Sequence, residues 1–233
     1  MHSNSEKRGW SSYLRQFTKE IIFMSGIIGK KVGMTSLFET TEASVKQIAC
    51  TLLQVGPCVV TQVKTVEKDG YSAIQLAFGE KQEARANKPE KGHFSKANTT
   101  PKRKVLEFRG FPDGKHQLGD VLTAADIFAE GDKVSVVGTT KGKGFQGVVK
   151  RHGFSGVGGQ THGQHDRARH AGSIGASSFP SRVFKGMRMG GRMGNDRVKI
   201  QKLRIMRIVS EHNLIVVAGS VPGAKNSYII VEK

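Results

Sequence analysis

The sequence predicts a mainly β protein in which a barrel-like sheet is interrupted by a long, basic, glycine-rich loop. Three observations carry that prediction. From Gly26, and again after Val198, short β-branched runs are separated by Gly, Pro and charged turns. Between Leu122 and Leu203 there is no leucine at all. Within that gap, residues 138–197 hold eleven Lys and Arg against only Asp166 and Asp196, together with 15 of the 29 glycines. A segment so poor in large aliphatics cannot offset about 1 to 2 kcal/mol of backbone entropy per ordered residue by apolar burial. An external partner must order it, and dense cations on a glycine-rich backbone suit a polyanion.

The first 23 residues stand apart. Ser11 and Ser12 can cap a short amphipathic helix with Leu14, Phe17 and Ile21 on one face. Met24 is followed by Ser25-Gly26 and then at once by a strand-like pattern, which suggests a start at Met24 and an upstream leader before it. A targeting peptide is the other reading, although Glu6 and Glu20 suit an acid-poor transit peptide badly.

The strands follow in order: GIIGKKVGMTSLF, SVKQIACTLLQV, VVTQVKTV and YSAIQLAFG. Val59 to Val66 alternates partly, as in a half-buried strand, and Lys68-Asp69-Gly70 is a hairpin signal because Asp-Gly tolerates positive φ. Residues 80–104 are polar and Lys-rich, with Pro89 and Pro101 limiting any helix, and read as a small insertion of loop and short helix. Strands resume at Val105 to Arg109 and at Lys133 to Gly138, while Asp120 to Phe128 suits a short helix or a strand equally. After the loop come VKIQKLRIMRIV, NLIVVAG and SYIIVE. The core is thus expected in residues 24–137 and 198–233, with the loop's ends on neighbouring strands of a sheet that closes and so removes its edges.

Net charge is +18 in 233 residues, with a pI near 10.1. That balance points to nucleic acid or an anionic membrane, and the loop offers no apolar span or amphipathic anchor for the latter. Cys50 and Cys58 are the only cysteines, and their spacing fits neither a disulfide framework nor a zinc ribbon, so both are expected as small buried side chains.

Competing motifs fail on context. GKGFQG at Gly142 to Gly147 matches a dinucleotide fingerprint, yet a glycine run follows Val148-Val149-Lys150-Arg151 where a helix and a second parallel strand are needed. A phosphate-binding loop of the Walker type fails because Gly138 and Gly142 enclose three residues. His162, His165 and His170 lie beside Arg167 and Arg169, which would repel a metal cation. No GxSxG or plausible Cys/His pair is present, so neither a catalytic site nor a cofactor is expected. By contrast, Phe145, Phe154, Phe179, Phe184, Ile174 and three methionines are interleaved with the loop's arginines, a mixture suited to stacking on unpaired bases while guanidinium groups bridge phosphates.

Lys133 to Phe154, KVSVVGTTKGKGFQGVVKRHGF, resembles the signature of the L-three family of large-subunit ribosomal proteins in its bacterial form. GIIGKKVGMTSLF, KPEKGHFSKA, GSIGASSFPSRVFKGMRMGGRMGNDRV and NLIVVAGSVPGAKNSYIIV resemble the same family, in order, from about Met24 to the C-terminus. The resemblance implies a translation-factor-like closed β-barrel, a loop reaching toward the peptidyl transferase centre, and no enzymatic activity of its own. It implies a cytoplasmic location in the large ribosomal subunit, primary binding of 23S ribosomal RNA near its 3′ end, a part in nucleating assembly, and the ribosomal proteins L-fourteen and L-nineteen as neighbours.

Carried onto this chain, it puts the deepest part of the loop around Gly172 to Gly186, with Arg182 and Lys185 on phosphates. Lys141, Lys143, Lys150 and Arg151 would hold the loop base on RNA, and Arg167, Arg169, Arg188, Arg192 and Arg197 would line its arms, with His162 and His165 also on RNA. Two departures stand out. Ser135 replaces the usual Asp or Asn, which is expected to alter a turn or a sheet-edge hydrogen bond. The tip reads Ala176-Ser177-Ser178-Phe179-Pro180 where many relatives carry a methylated glutamine, so no glutamine methylation is expected there.

Overall fold

The computed structural model describes residues 25–41, 44–112, 114–159, 162–164 and 166–233. The proposed leader helix and the Met24 start lie outside them. Two compact units emerge. One holds the described residues up to Gly138 with Lys199–Val221 and Lys225–Lys233; the other holds Thr139–Val198 and Pro222–Ala224.

In the first unit, six strands close into a barrel in the order β1 (Gly26–Thr41), β12 (Tyr228–Glu232), β7 (Lys133–Thr139), β10 (Arg197–Val209), β11 (Leu214–Ala218), β2 (Ser44–Val55). The registers that bring β1 to both its neighbours set Ile28 opposite Ile230 and Gly29 opposite Val55. Bulges between Lys31 and Gly33 and between Ile205 and Arg207 add the local twist that curvature needs. Every second residue points inward, so Ile27, Leu53, Val55, Val136, Ile205, Ile215, Val217, Ile229 and Val231 are fully buried. β10 and β11 are joined by a 3₁₀ turn, Ser210–His212, closed by Asn213 at φ 51°, a left-handed conformation Asn adopts with little cost.

A second sheet of four strands, ordered β5 (Lys102–Phe108), β4 (Ala73–Glu80), β3 (Cys58–Lys64), β6 (Val121–Leu122), belongs to the same unit. Val60, Leu76, Phe78, Phe108 and Leu122 bring it into one apolar core with the barrel residues. This corrects the sequence reading of the insertion, which extends well beyond the polar stretch 80–104. The runs around Val59 and Ile74 have the same alternation as barrel strands, and alternation does not say which sheet a strand joins. The β3–β4 hairpin forms as expected, but its connection is a helical turn, α1 (Val66–Asp69), ended by Gly70 at φ 78°. Val66 therefore leaves the strand and is exposed.

The polar stretch folds as a 3₁₀ turn (Glu83–Arg85) and α2 (Lys88–Lys96). Asn87 and Glu90 form a reciprocal capping box there, with Pro89 in the first turn, where a missing N–H costs nothing. Asp120 to Phe128 resolves into both alternatives, β6 and then α3 (Ala124–Ile127), capped by Thr123 and Asp126. Cys50 and Cys58 are buried free thiols, and burial pushes the Cys58 thiol up to about 12. Ser135 is a correction: it is buried in the middle of β7, opposite Glu232 of β12, and lies at neither a turn nor a sheet edge.

The second unit contains β8 (Phe145–Gln146), α4 (Val148–His152) and β9 (Gly191–Arg192). A helix does open directly behind GKGFQG, contrary to the sequence reading, but it has five residues, and the strand before it pairs antiparallel with β9. No βαβ unit of the dinucleotide-binding kind results. The mainly β class holds.

Candidate nucleic-acid interface

The loop begins and ends as a two-armed ladder. The Thr140 amide donates to the Asp196 carbonyl at 2.9 Å, Lys143 to Met193 at 2.9 Å, and Met193 back to Gly144 at 3.0 Å. Phe145 then stands opposite Arg192 and Gln146 opposite Gly191. The Thr140 hydroxyl accepts from the Asp196 amide at 3.1 Å, so the Asp196 backbone is held at the root of the arms.

Beyond the ladder, α4 starts at Gly147 and stops at Gly153, whose φ of 75° ends the helix. Lys150, Arg151 and His152 occupy its last turn, where cations complement the carbonyl end of the helix. Arg151 turns back across the loop: its Nη1 donates to the Met189 carbonyl at 2.7 Å, and His152 Nε2 lies 3.0 Å from the same oxygen. The described residues between Phe154 and Gly190 are turns and irregular backbone, tied by bonds such as His170 N to Arg167 O at 3.1 Å.

Within the described part of this loop only Gly138, at its root, and Val148 are buried. Phe179 is 87% exposed, Phe145 79% and Phe184 55%, and Ile174, Val183, Met187 and Met189 are exposed too. The predicted contacts Lys141, Lys143, Lys150, Arg151, His162, Arg167, Arg169, Arg182, Lys185, Arg188, Arg192 and Arg197 are all exposed; His165 lies outside the described residues. Among the described residues, none of these twelve is in an ion pair, whereas the first unit pairs Lys81 with Glu90 at 2.6 Å, Lys64 with Glu107 at 2.9 Å and Arg204 with Glu39 at 3.0 Å. The Arg182 guanidinium lies over the Phe184 ring, 5.3 Å from its centroid, setting a cation against an exposed aromatic.

This surface offers positive charge, exposed cationic donors and apolar rings facing outward. Those are the requirements for following phosphates while stacking on bases. Among the described residues, no three His, Cys, Asp or Glu side chains come together as a metal site. Two features escaped the sequence reading: Arg151 is engaged within the chain, and His152 joins it on Met189. No local signal in the sequence could have found them, because the partner carbonyl lies 38 residues away.

Comparison with known proteins agrees with the geometry. A family model described as Ribosomal protein L3 matches residues 113–213. The chain is 56% identical over 209 residues to the Large ribosomal subunit protein uL3 of Salinibacter ruber (strain DSM 13855 / M31), covering 90% of this chain and 99% of that relative. With identity of that extent along nearly the whole chain, it belongs to the ribosomal protein L3 family.

Proposed function

We propose that this protein is a structural constituent of the large ribosomal subunit, located with it in the cytoplasm, and that it holds 23S ribosomal RNA through the loop 138–197. The finer reading is that it binds near the 3′ end of that RNA early in assembly. Its loop tip, around Gly172 to Gly186, then supports the peptidyl transferase centre, with ribosomal proteins L14 and L19 as neighbours. Family membership supports the first statement, and the family is one of ribosomal structural proteins, not enzymes. One observation carries the loop's part: its exposed cations have no ion-pair partner among the described residues, and its large apolar side chains have almost no protein to bury against. Such a surface suits a single-stranded or irregular RNA, whose phosphates and exposed bases can meet both kinds of side chain.

Sedimentation of cell extract through a high-salt gradient tests this reading. A protein merely attracted to phosphate dissociates as salt displaces it, whereas one buried by shape in an assembled subunit stays. The expected result is recovery with the large subunit; recovery in the free-protein fraction would sink the proposal.

A further inference from the structure

We infer that Arg151 is a positioning residue, a strut inside the loop, and not one of its phosphate contacts. The inference rests on the loop being the RNA-binding element, and assigns one of its cations a different task. Three observations converge on it. The Arg151 guanidinium donates 2.7 Å to the Met189 carbonyl, 38 residues away, where the returning arm approaches β9. His152 reaches the same oxygen at 3.0 Å from the same helical turn, so two side chains grip one carbonyl. Gly191 is the third: a Cβ there would stand 2.6 Å from Arg151 Nη1 and 3.1 Å from its Cζ, so the guanidinium lies where any other residue would put a side chain.

The physical consequence is preorganisation. Among the described residues, the only large apolar side chain buried at the loop base is Val148, so beyond the backbone ladder the arms are held by polar contacts such as that of Arg151 on Met189. A charged hydrogen bond to a carbonyl is among the stronger single contacts available to so polar a segment. Fixing the arms before RNA arrives lowers the ordering cost of binding. A lysine cannot substitute, since an ammonium has neither the flat face over Gly191 nor the reach of a guanidinium fork.

The test compares full-length wild type with R151A, R151K, G191A and, as a control from the same helix, K150A. Affinity for 23S ribosomal RNA is measured across a potassium chloride series, and hydrogen exchange of the Lys143 and Met193 amides is followed in the free proteins. We expect R151A, R151K and G191A each to weaken binding about tenfold while leaving the salt slope at its wild-type value, because no phosphate contact has been removed. K150A is expected to lower the slope by about one with both amides still protected. In the free protein, R151A and G191A should lose protection at both amides. A slope lowered by about one in R151A, with affinity restored in R151K, would show a phosphate contact and overturn the assignment. So would wild-type exchange at Lys143 and Met193 in R151A. If wild type itself failed to bind the RNA, the proposed function would fall, and the exchange experiment would still decide the strut.

Discussion

Leu53 and Phe179 are both large apolar side chains, and they meet opposite fates in this protein: Leu53 has no accessible surface, while Phe179 keeps 87% of its own. Burial of a side chain like Leu53 is worth about 1.5 to 3 kcal/mol, and the first unit repeats such burial through the residues of one core drawn mainly from the barrel and the second sheet. The loop has Val148 and little more. Charge divides the same way: the first unit pairs several of its lysines with carboxylates, while the loop presents eleven Lys and Arg against two acids. Apolar burial orders one region from within. The other is built to be ordered from outside, with a glycine-rich backbone that allows close approach and cations placed for an anion.

The largest break in that contrast comes from the core. L53A should cost about 2 to 5 kcal/mol in urea denaturation, because it leaves a cavity between β1, β2 and β11. F179A, which removes a larger side chain, should stay within about 0.5 kcal/mol of wild type. Equal losses would erase the distinction.

Next in size is the double variant R182A/K185A. Its stability should match wild type, but the salt slope of ribosomal RNA binding should fall by about two, with late assembly or peptidyl transfer impaired. Wild-type polysome profiles and unchanged sensitivity to antibiotics acting at the peptidyl transferase centre would contradict this.

A smaller effect should appear at alkaline pH. Burial raises the Cys58 thiol from 9.0 to about 12, so the unfolded chain gives up that proton first. The neutral buried thiol supports the fold fully below pH 9, and this support is lost as pH rises from there through about 12. C58A should flatten the fall of stability across that window; an unchanged pH profile would show that the thiol does not contribute. The smallest change is expected from E90Q in α2. Lys81, then the Asn87 amide, hold the Glu90 carboxyl below its usual range, so its contribution is present at neutral pH and fades as pH falls. The E90Q deficit should vanish in acid, and one of equal size at both pH values would refute the capping account.

Much of this was legible from residue pattern. GIIGKKVGMTSLF, NLIVVAG and SYIIVE carry β-branched residues at the spacing of strands that bury one face, and all three are barrel strands. The leucine gap located the loop because a core cannot be built without large aliphatics. The division of the strands between two sheets was not legible, since Val60 and Ile74 alternate as a barrel strand does and only long-range pairing separates them. The sequence reading puts Ser135 at a turn or sheet edge although Val134, Val136 and Val137 flank it, and only the pairing with Glu232 sets it mid-strand. Arg151 was missed for a general reason: a cation in a basic segment has the same local sequence whether it faces a phosphate or a carbonyl 38 residues away.

The contrast between the regions is tested most directly by amide hydrogen exchange on the full-length protein, free and bound to 23S ribosomal RNA. Amides of β7 and β11 should exchange slowly in both states, whereas those of residues 172–186 should exchange rapidly in the free protein and become protected only with RNA. Protection of residues 172–186 in the free protein equal to that of the barrel strands would contradict the view that RNA, and not the chain itself, orders the loop.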